Sequence, residues 1–266
     1  GHHIAAQIEE DSAVLFKNED MILPLKDTER IAFIGAYVKQ PRYQGGGSSH
    51  INAWKVTSIW DEIGSYHNVC YAEGFREDES EESVLLAQAI EAAKSSDKAV
   101  IFAGLPDTWE TEAVDRKKLE LPENQNRLIQ AVAKVQPNTV VVLHNGSPVT
   151  MPWLSQVKGV LELYLGGEAV GTAAARLLYG KANPSGRLAE TFPLRIEDTP
   201  TYPYYGVERD DVLYREGRLV GYRYYKTMKR PVLFPFGYGL SYTVFAYDNL
   251  RVEKKKRPLR YLKPIR

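Results

Sequence analysis

A loop rich in carboxylates follows the third predicted strand of the chain, and its residues could transfer a proton. It reads LPDTWETEAVDRKKLELP and holds Asp107, Glu110, Glu112 and Asp115. Carboxylates that lie close together repel one another, which raises the pKa of one until it is protonated near neutral pH. Beside an aromatic side chain such as Trp109, a neutral carboxyl group is what a glycosidase uses to protonate a departing sugar oxygen. A charged surface loop without chemistry looks the same, so both interpretations stay open from spacing alone.

A glycine-rich loop, GGGSSHINAW (45–54), follows the first predicted strand. Backbone N–H groups in such a turn can bind an anion or a sugar. The loop lacks the GxGxxG fingerprint of dinucleotide-binding folds because His50 stands where a glycine is required, and no Gly-Lys-Ser/Thr follows. A mobile loop whose glycines adopt positive φ angles is the alternative interpretation.

Apolar runs of strand length alternate with helical segments through most of the chain. The runs are IAFIGA (31–36), NVCYAEG (68–74), KAVIFAGL (98–105), TVVVLHNG (139–146) and GVLELYLGG (159–167). Runs without polar alternation, joined by helices, are typical of parallel strands buried on both faces. We therefore predict an α/β three-layer sandwich, with a mostly parallel sheet of about five or six strands and helices on both faces. Such folds bind ligands at the loops after the carboxyl ends of the strands, where both loops described above lie.

Four segments divide the chain in this prediction. They are a leading helix and linker (1–25), the sandwich domain (26–193), an irregular Tyr/Pro/Gly-rich extension that packs on the sandwich (194–250) and a basic, solvated tail (251–266). The leading helix is predicted from apolar positions at helical spacing between Ile4 and Phe16.

The composition argues against several classes of protein. The 266 residues include 34 basic and 34 acidic side chains, and this balance disfavours binding to nucleic acid or to a membrane surface. No apolar run approaches the ~18 residues that a membrane span needs. The single cysteine, Cys70, excludes an internal disulfide framework and is interpreted as an inert core residue. Together with the lack of a signal segment it favours a cytoplasmic location, and neither a metal nor an organic cofactor is implied.

Seven motifs occur in order along the chain and together resemble a known family. They are EEDSAVLFKNEDMILPL, GGGSS, ETEAVDRKKLELPENQNRLI, VVVLHNGSPVTMPW, NPSGRLAETFP, VGYRYY and FPFGYGLSYTVF. The series is similar to the carboxyl-terminal α/β sandwich domain of glycoside hydrolase family 3, of the β-glucosidase type. The resemblance covers about residues 4–250, and FPFGYGLSYT and NPSGRLAETFP are its most specific parts.

The resemblance implies an active site shared between two domains. In such retaining enzymes a barrel domain supplies an aspartate nucleophile and the sandwich domain supplies a glutamate as acid/base. Glu112 matches that glutamate, and Glu110 is the second choice. Ser48 and Ser49 are candidate sugar contacts, while Trp109 either stacks on a sugar ring or only packs the loop. The expected substrate is a β-glucoside or oligosaccharide, and the expected partner is a family 3 barrel domain in the same chain or a separate one.

Three features of this chain depart from the family. Ala113 stands where the family commonly has glycine, which would alter the turn beside Glu112. No region reads as the eight strand–helix units of a barrel, and a basic tail ends the chain where the family often continues into a fibronectin-like domain. We therefore expect a fragment, a truncated product or part of a split enzyme that is inactive alone. Asp115 and Arg116 are interpreted as a salt bridge that fixes the loop.

Other functions remain as alternatives. A non-enzymatic sugar-binding or scaffold module would use the GGGSS loop and the aromatic extension. A nucleotide-binding domain has less support, because both phosphate-binding motifs are missing. If one face of the domain normally packs on a partner, it should expose apolar surface in the isolated chain, and a homo-oligomer could cover it.

Overall fold

A six-stranded sheet forms the centre of the structure, a computed structural model that describes residues 1–207 and 211–253. The strands are β1 (Val14–Asn18), β2 (Ile31–Ile34), β3 (Val69–Ala72), β4 (Lys98–Gly104), β5 (Thr139–His144) and β6 (Gly159–Glu162). Their order in the sheet is β1-β6-β5-β4-β2-β3. Strands β2 to β6 are parallel and β1 is antiparallel to β6, which confirms the predicted mostly parallel sheet.

Helices lie on both faces of this sheet. They are α1 (His2–Ser12), α2 (Ile59–Ile63), α3 (Glu82–Lys94), α4 (Glu123–Val135), α5 (Val170–Leu178) and α6 (Tyr222–Thr227). Helix α3 packs on α4, whereas α1 and α2 both pack on α5. The β2–α2–β3 connection moves toward one edge of the sheet, whereas the β3–α3–β4 and β4–α4–β5 connections move toward the opposite edge. Because crossovers between parallel strands are right-handed, α2 lies on the opposite face of the sheet from α3 and α4. The predicted three-layer sandwich is confirmed. No helix in the described ranges is long and apolar enough to cross a membrane.

The burial of the strands explains their composition. Every residue of β2, β4, β5 and β6 is buried, because helices cover both faces and leave no solvent side for polar residues. Strand β3 lies at the sheet edge, and Cys70 on it is exposed. The prediction that Cys70 is a core residue is therefore wrong, because an edge strand lacks a neighbour on one side.

The amino-terminal segment differs from the predicted leading helix and linker. Helix α1 ends at Ser12, and the following residues form β1, in which Val14 pairs with Glu162 of β6. The consecutive residues Ala13 to Phe16 are all buried, which one face of a surface helix cannot achieve. Residues 1–25 therefore include an edge strand of the sandwich itself, and the helix predicted to reach Phe16 is four residues shorter at its carboxyl end.

The carboxyl-terminal extension contacts the sandwich through aromatic side chains. The Phe234 ring stacks on Phe16 of β1 with centroids 4.4 Å apart, and the Tyr238 hydroxyl donates to the Phe16 carbonyl at 2.9 Å. Leu240 forms an isolated bridge with Leu15. The final described residues, 251–253, have no regular secondary structure, and the rest of the predicted basic tail lies outside the described residues.

Candidate active site at the carboxyl edge of the sheet

The two loops singled out by the sequence lie against each other. One follows β2 and the other follows β4, and these strands are parallel neighbours, so their carboxyl ends meet at one edge of the sheet. The Gly46 N–H group donates to the Glu110 carbonyl at 3.1 Å. The structure therefore brings the glycine-rich loop and the carboxylate loop into direct contact.

Glu112 is exposed and interacts with the glycine loop. Its Oε2 accepts hydrogen bonds from the Ser48 backbone N–H at 3.1 Å and from the Ser48 hydroxyl. Both bonds favour the charged carboxylate, so they lower the pKa of Glu112. The next residue, Ala113, has φ 65°, a left-handed conformation that glycine adopts without strain. Alanine thus adopts at this position a backbone conformation that glycine reaches more easily.

Glu110 is buried and serves as an anchor for three groups. Only 8% of its side chain is exposed, and its Oε2 lies 3.4 Å from Arg42 Nη1. The same oxygen accepts from the Gly146 N–H at 2.8 Å, while Oε1 accepts from the Ser147 hydroxyl. These contacts use the carboxylate on the protein itself, which is the behaviour of a structural residue rather than of a proton donor to substrate.

Arg42 is a buried side chain that connects the two loops at this edge, and the sequence analysis did not identify it. Its side chain is 4% exposed, donates to the Leu105 carbonyl at 2.7 Å and pairs with Asp107 as well as Glu110. The Arg42 carbonyl lies 3.2 Å from Nδ1 of His144, whose pKa burial lowers to about 4, so this ring is neutral. A single arginine after a strand carries no spacing signal, so only the structure reveals it.

Trp109 and Ser49 make contacts within the loops. Lys118 Nζ lies 4.9 Å from the Trp109 ring centroid, a cation–π geometry, and the half-buried ring lines a cavity of about 390 Å³ together with Val114. The Ser49 hydroxyl donates to the Gly46 carbonyl at 3.0 Å. One face of the Trp109 ring is therefore covered by a lysine.

The predicted salt bridge between Asp115 and Arg116 is wrong. Arg116 Nη1 donates to the Ser147 hydroxyl at 2.7 Å and to the Pro148 carbonyl at 3.0 Å, so it points toward the loop after β5. Asp115 instead accepts a hydrogen bond from Tyr205, which raises the pKa of that phenol. Adjacent residues in an extended loop point in different directions, which explains why they do not pair with each other.

Glu190 is a further titratable group near this edge. Burial raises its pKa to about 7, and the negative charge of Glu110 adds to this effect while Arg116 opposes it. Nothing in the spacing between positions 110 and 190 predicts this proximity. Within the described ranges, no cluster of His, Cys, Asp and Glu is arranged to hold a metal ion.

Glu162, fully buried at the end of β6, should make stability depend on pH. Burial raises its pKa well above the ordinary glutamate value of 4.5, against hydrogen bonds from Tyr164 N–H and the Asn145 amide. When the pKa of a carboxyl group is higher in the folded chain than in the unfolded chain, its contribution to stability is fully present at a pH below the pKa of the unfolded chain. This contribution is lost as the pH rises through the pKa of the folded chain. We expect Glu162→Gln to gain stability relative to the native chain as pH rises, measured by urea unfolding at pH 5 and pH 8. Equal pH dependence in the two proteins, or the same gain in the exposed control Glu120→Gln, would contradict this.

The fold and the site define a class of protein: a doubly wound α/β sandwich domain that displays an exposed glutamate at the carboxyl edge of its sheet. The sequence profile of the glycosyl hydrolase family 3 C-terminal domain matches residues 13–242. The chain belongs to this family.

Similar proteins cover nearly the whole chain. Thermostable beta-glucosidase B of Acetivibrio thermocellus is 54% identical over 259 residues, which are 96% of this chain and 34% of that protein. Exo-alpha-(1->6)-L-arabinopyranosidase of Bifidobacterium longum is 41% identical over 94% of this chain and 35% of its own length. The crystal structure of Bifidobacterium adolescentis GH3 beta-glucosidase superposes with a TM-score of 0.90 at 44% identity, covering 95% of this chain and 38% of that one. The chain thus spans about a third of the length of these relatives.

Proposed function

We propose that this chain supplies the general acid/base of a retaining β-glycosidase of the β-glucosidase type, with Glu112 as the reacting residue. The observation that carries the proposal is the contrast between two neighbouring glutamates. Glu110 is buried and fully engaged by protein groups, whereas Glu112 is exposed at the edge where such folds bind ligands. An exposed carboxylate is free to meet a substrate that a second domain presents.

Two steps would use Glu112 in different protonation states. In the first, its neutral carboxyl group protonates the glycosidic oxygen while a carboxylate nucleophile attacks the anomeric carbon. In the second, its carboxylate takes a proton from the water that hydrolyses the glycosyl-enzyme intermediate. The nucleophile would come from a barrel domain, in the same polypeptide or a separate one, because the relatives are about three times longer than this chain.

The environment of Glu112 must change before it can act as an acid. In this chain its hydrogen bonds to Ser48 lower its pKa, so the carboxyl group is ionised near neutral pH. Covering the site with a second domain and a substrate would remove water and raise the pKa, because burial disfavours the charged form. This supports assigning the full reaction to the combined domains rather than to the sandwich alone.

The proposed substrate carries a terminal β-linked glucosyl residue. Two relatives with similar coverage of this chain are described by name as a beta-glucosidase and an arabinopyranosidase, so related sandwich domains accompany different sugar specificities. We attribute the choice of sugar mainly to the barrel domain.

The experiment combines this chain with a separately expressed family 3 barrel domain. We expect hydrolysis of cellobiose by the mixture and none by either part alone, and Glu112→Ala in this chain should lower the activity of the mixture on cellobiose by about 10²- to 10⁴-fold. Cellobiose hydrolysis that Glu112→Ala leaves unchanged would remove the acid/base assignment. Calorimetric titration of the isolated chain with glucose tests the alternative of a sugar-binding module, which would show millimolar or tighter binding.

A further inference from the structure

The glycine loop lies flat against the segment that carries Glu112. A Cβ atom added to Gly46 would lie 2.9 Å from the Thr111 Cβ, and one added to Gly47 would lie 2.7 Å from the Glu112 Cβ. Gly47 also has φ +75°, which L-residues rarely adopt. Both positions therefore require glycine for close approach, and the result is that Ser48 reaches the Glu112 side chain.

Ser48 bonds to only one of the two carboxylate oxygens. Its backbone N–H and its hydroxyl both donate to Oε2 of Glu112, and within the described residues Oε1 accepts no hydrogen bond. The adjacent serine does not share this contact, because the Ser49 hydroxyl donates to the Gly46 carbonyl. The carboxylate is thus held at one oxygen and free at the other.

No charged side chain in the described ranges competes with this contact. The hydrogen bonds from Ser48 are the largest influence on the pKa of Glu112, and weak desolvation is the only opposing one. Six charged or titratable residues of the two loops make other contacts: Asp107, Glu110, Asp115, Arg116, Lys118 and His50. The hydroxyl and N–H of Ser48 therefore dominate the state of this carboxyl group.

We propose that Ser48 is the positioning residue of Glu112: it anchors Oε2 and leaves Oε1 as the oxygen that exchanges the proton with substrate and water. This inference rests on the proposed role of Glu112. An anchored carboxylate keeps its orientation without losing the free oxygen, and orientation of a reacting group is a large part of its catalytic effect. The same anchor favours the ionised form, which is the form that activates water in the second step.

The first test follows the titration of Glu112 in this chain by carboxyl carbon NMR. We expect Ser48→Ala to raise the pKa of Glu112, because the hydroxyl donor is lost, while the backbone N–H remains. Ser48→Thr keeps a hydroxyl and should restore the native titration, and Ser49→Ala should not change it. An unchanged titration in Ser48→Ala, or one equally changed by Ser49→Ala, would overturn the inference.

The second test uses the chain combined with a barrel domain. There Ser48→Ala should move the alkaline limb of the kcat/KM profile to higher pH and lower kcat/KM by roughly tenfold, through poorer orientation of the proton donor. Ser48→Thr should recover both. An altered titration together with cellobiose hydrolysis that Glu112→Ala leaves unchanged would overturn the proposed function and the catalytic part of this inference. An unchanged titration with hydrolysis that depends on Glu112 would overturn the role of Ser48 alone.

Discussion

Replacing Glu110 by alanine should destabilise the fold by about 3 kcal/mol, because removing one partner of a buried ion pair leaves the other charge poorly compensated. Arg42 would lose its buried carboxylate and, among the described residues, keep Asp107 as its one ionic partner, whose side chain is 62% exposed. The Gly146 N–H and the Ser147 hydroxyl would lose their acceptor as well. Urea unfolding followed by circular dichroism measures the change as a lower midpoint at constant slope.

The matched control for this prediction is Glu112→Ala, two residues away in the same loop. Glu112 is exposed and its partner Ser48 is also exposed, so its removal should leave the unfolding midpoint close to that of the native chain. A destabilisation by Glu112→Ala equal to that by Glu110→Ala would contradict the division between a structural and a reacting glutamate. Glu110→Gln should fall between the two, because it keeps an acceptor but loses the charge.

The central sheet was predictable because the apolar runs in the sequence match the buried positions that its strands occupy. The runs that form β4 and β5 contain no polar alternation, and both strands are buried on both faces. At the two edges of the sheet, the rule that apolar runs form buried strands joined by helices gave wrong predictions. Cys70 lies in a short apolar run yet is exposed on edge strand β3. The buried run from Ala13 to Phe16 forms a strand only because β6 offers an open edge with which it pairs. Which edge is free is a property of the whole sheet and is absent from the local sequence.

The sequence predicted which two loops form the candidate site, but it did not predict which residues of the site contact one another. The strand-end rule placed both loops at one edge, and the structure has them in contact. Spacing alone could not distinguish Glu110 from Glu112, since both are carboxylates of one loop. The distinction comes from Arg42, which is far from them in sequence and buries one carboxylate by pairing with it. Long-range ion pairs of this kind depend on how the strands are ordered.

Loss of the Glu112 carboxyl group should depend strongly on the leaving group of the substrate. Removing a general acid typically costs about 10²- to 10⁴-fold in rate, but only where the departing oxygen needs a proton. In the combined enzyme we therefore expect Glu112→Ala to reduce kcat/KM by about this factor for cellobiose and alkyl β-glucosides. For 2,4-dinitrophenyl β-glucoside, whose leaving group departs unprotonated, kcat/KM should change little. Steady-state kinetics on this substrate series measures the difference.

The second step provides an internal control for the same variant. Because Glu112 would also act as the base that activates water, its loss should let the glycosyl-enzyme accumulate with the dinitrophenyl substrate and produce a burst of product. An added small nucleophile such as azide needs no base and should restore turnover. Glu110→Gln should instead lower activity by a similar factor for all leaving groups, because its effect on the site is structural. A rate loss in Glu112→Ala that is independent of the leaving group, without a burst, would show that the proton comes from another residue.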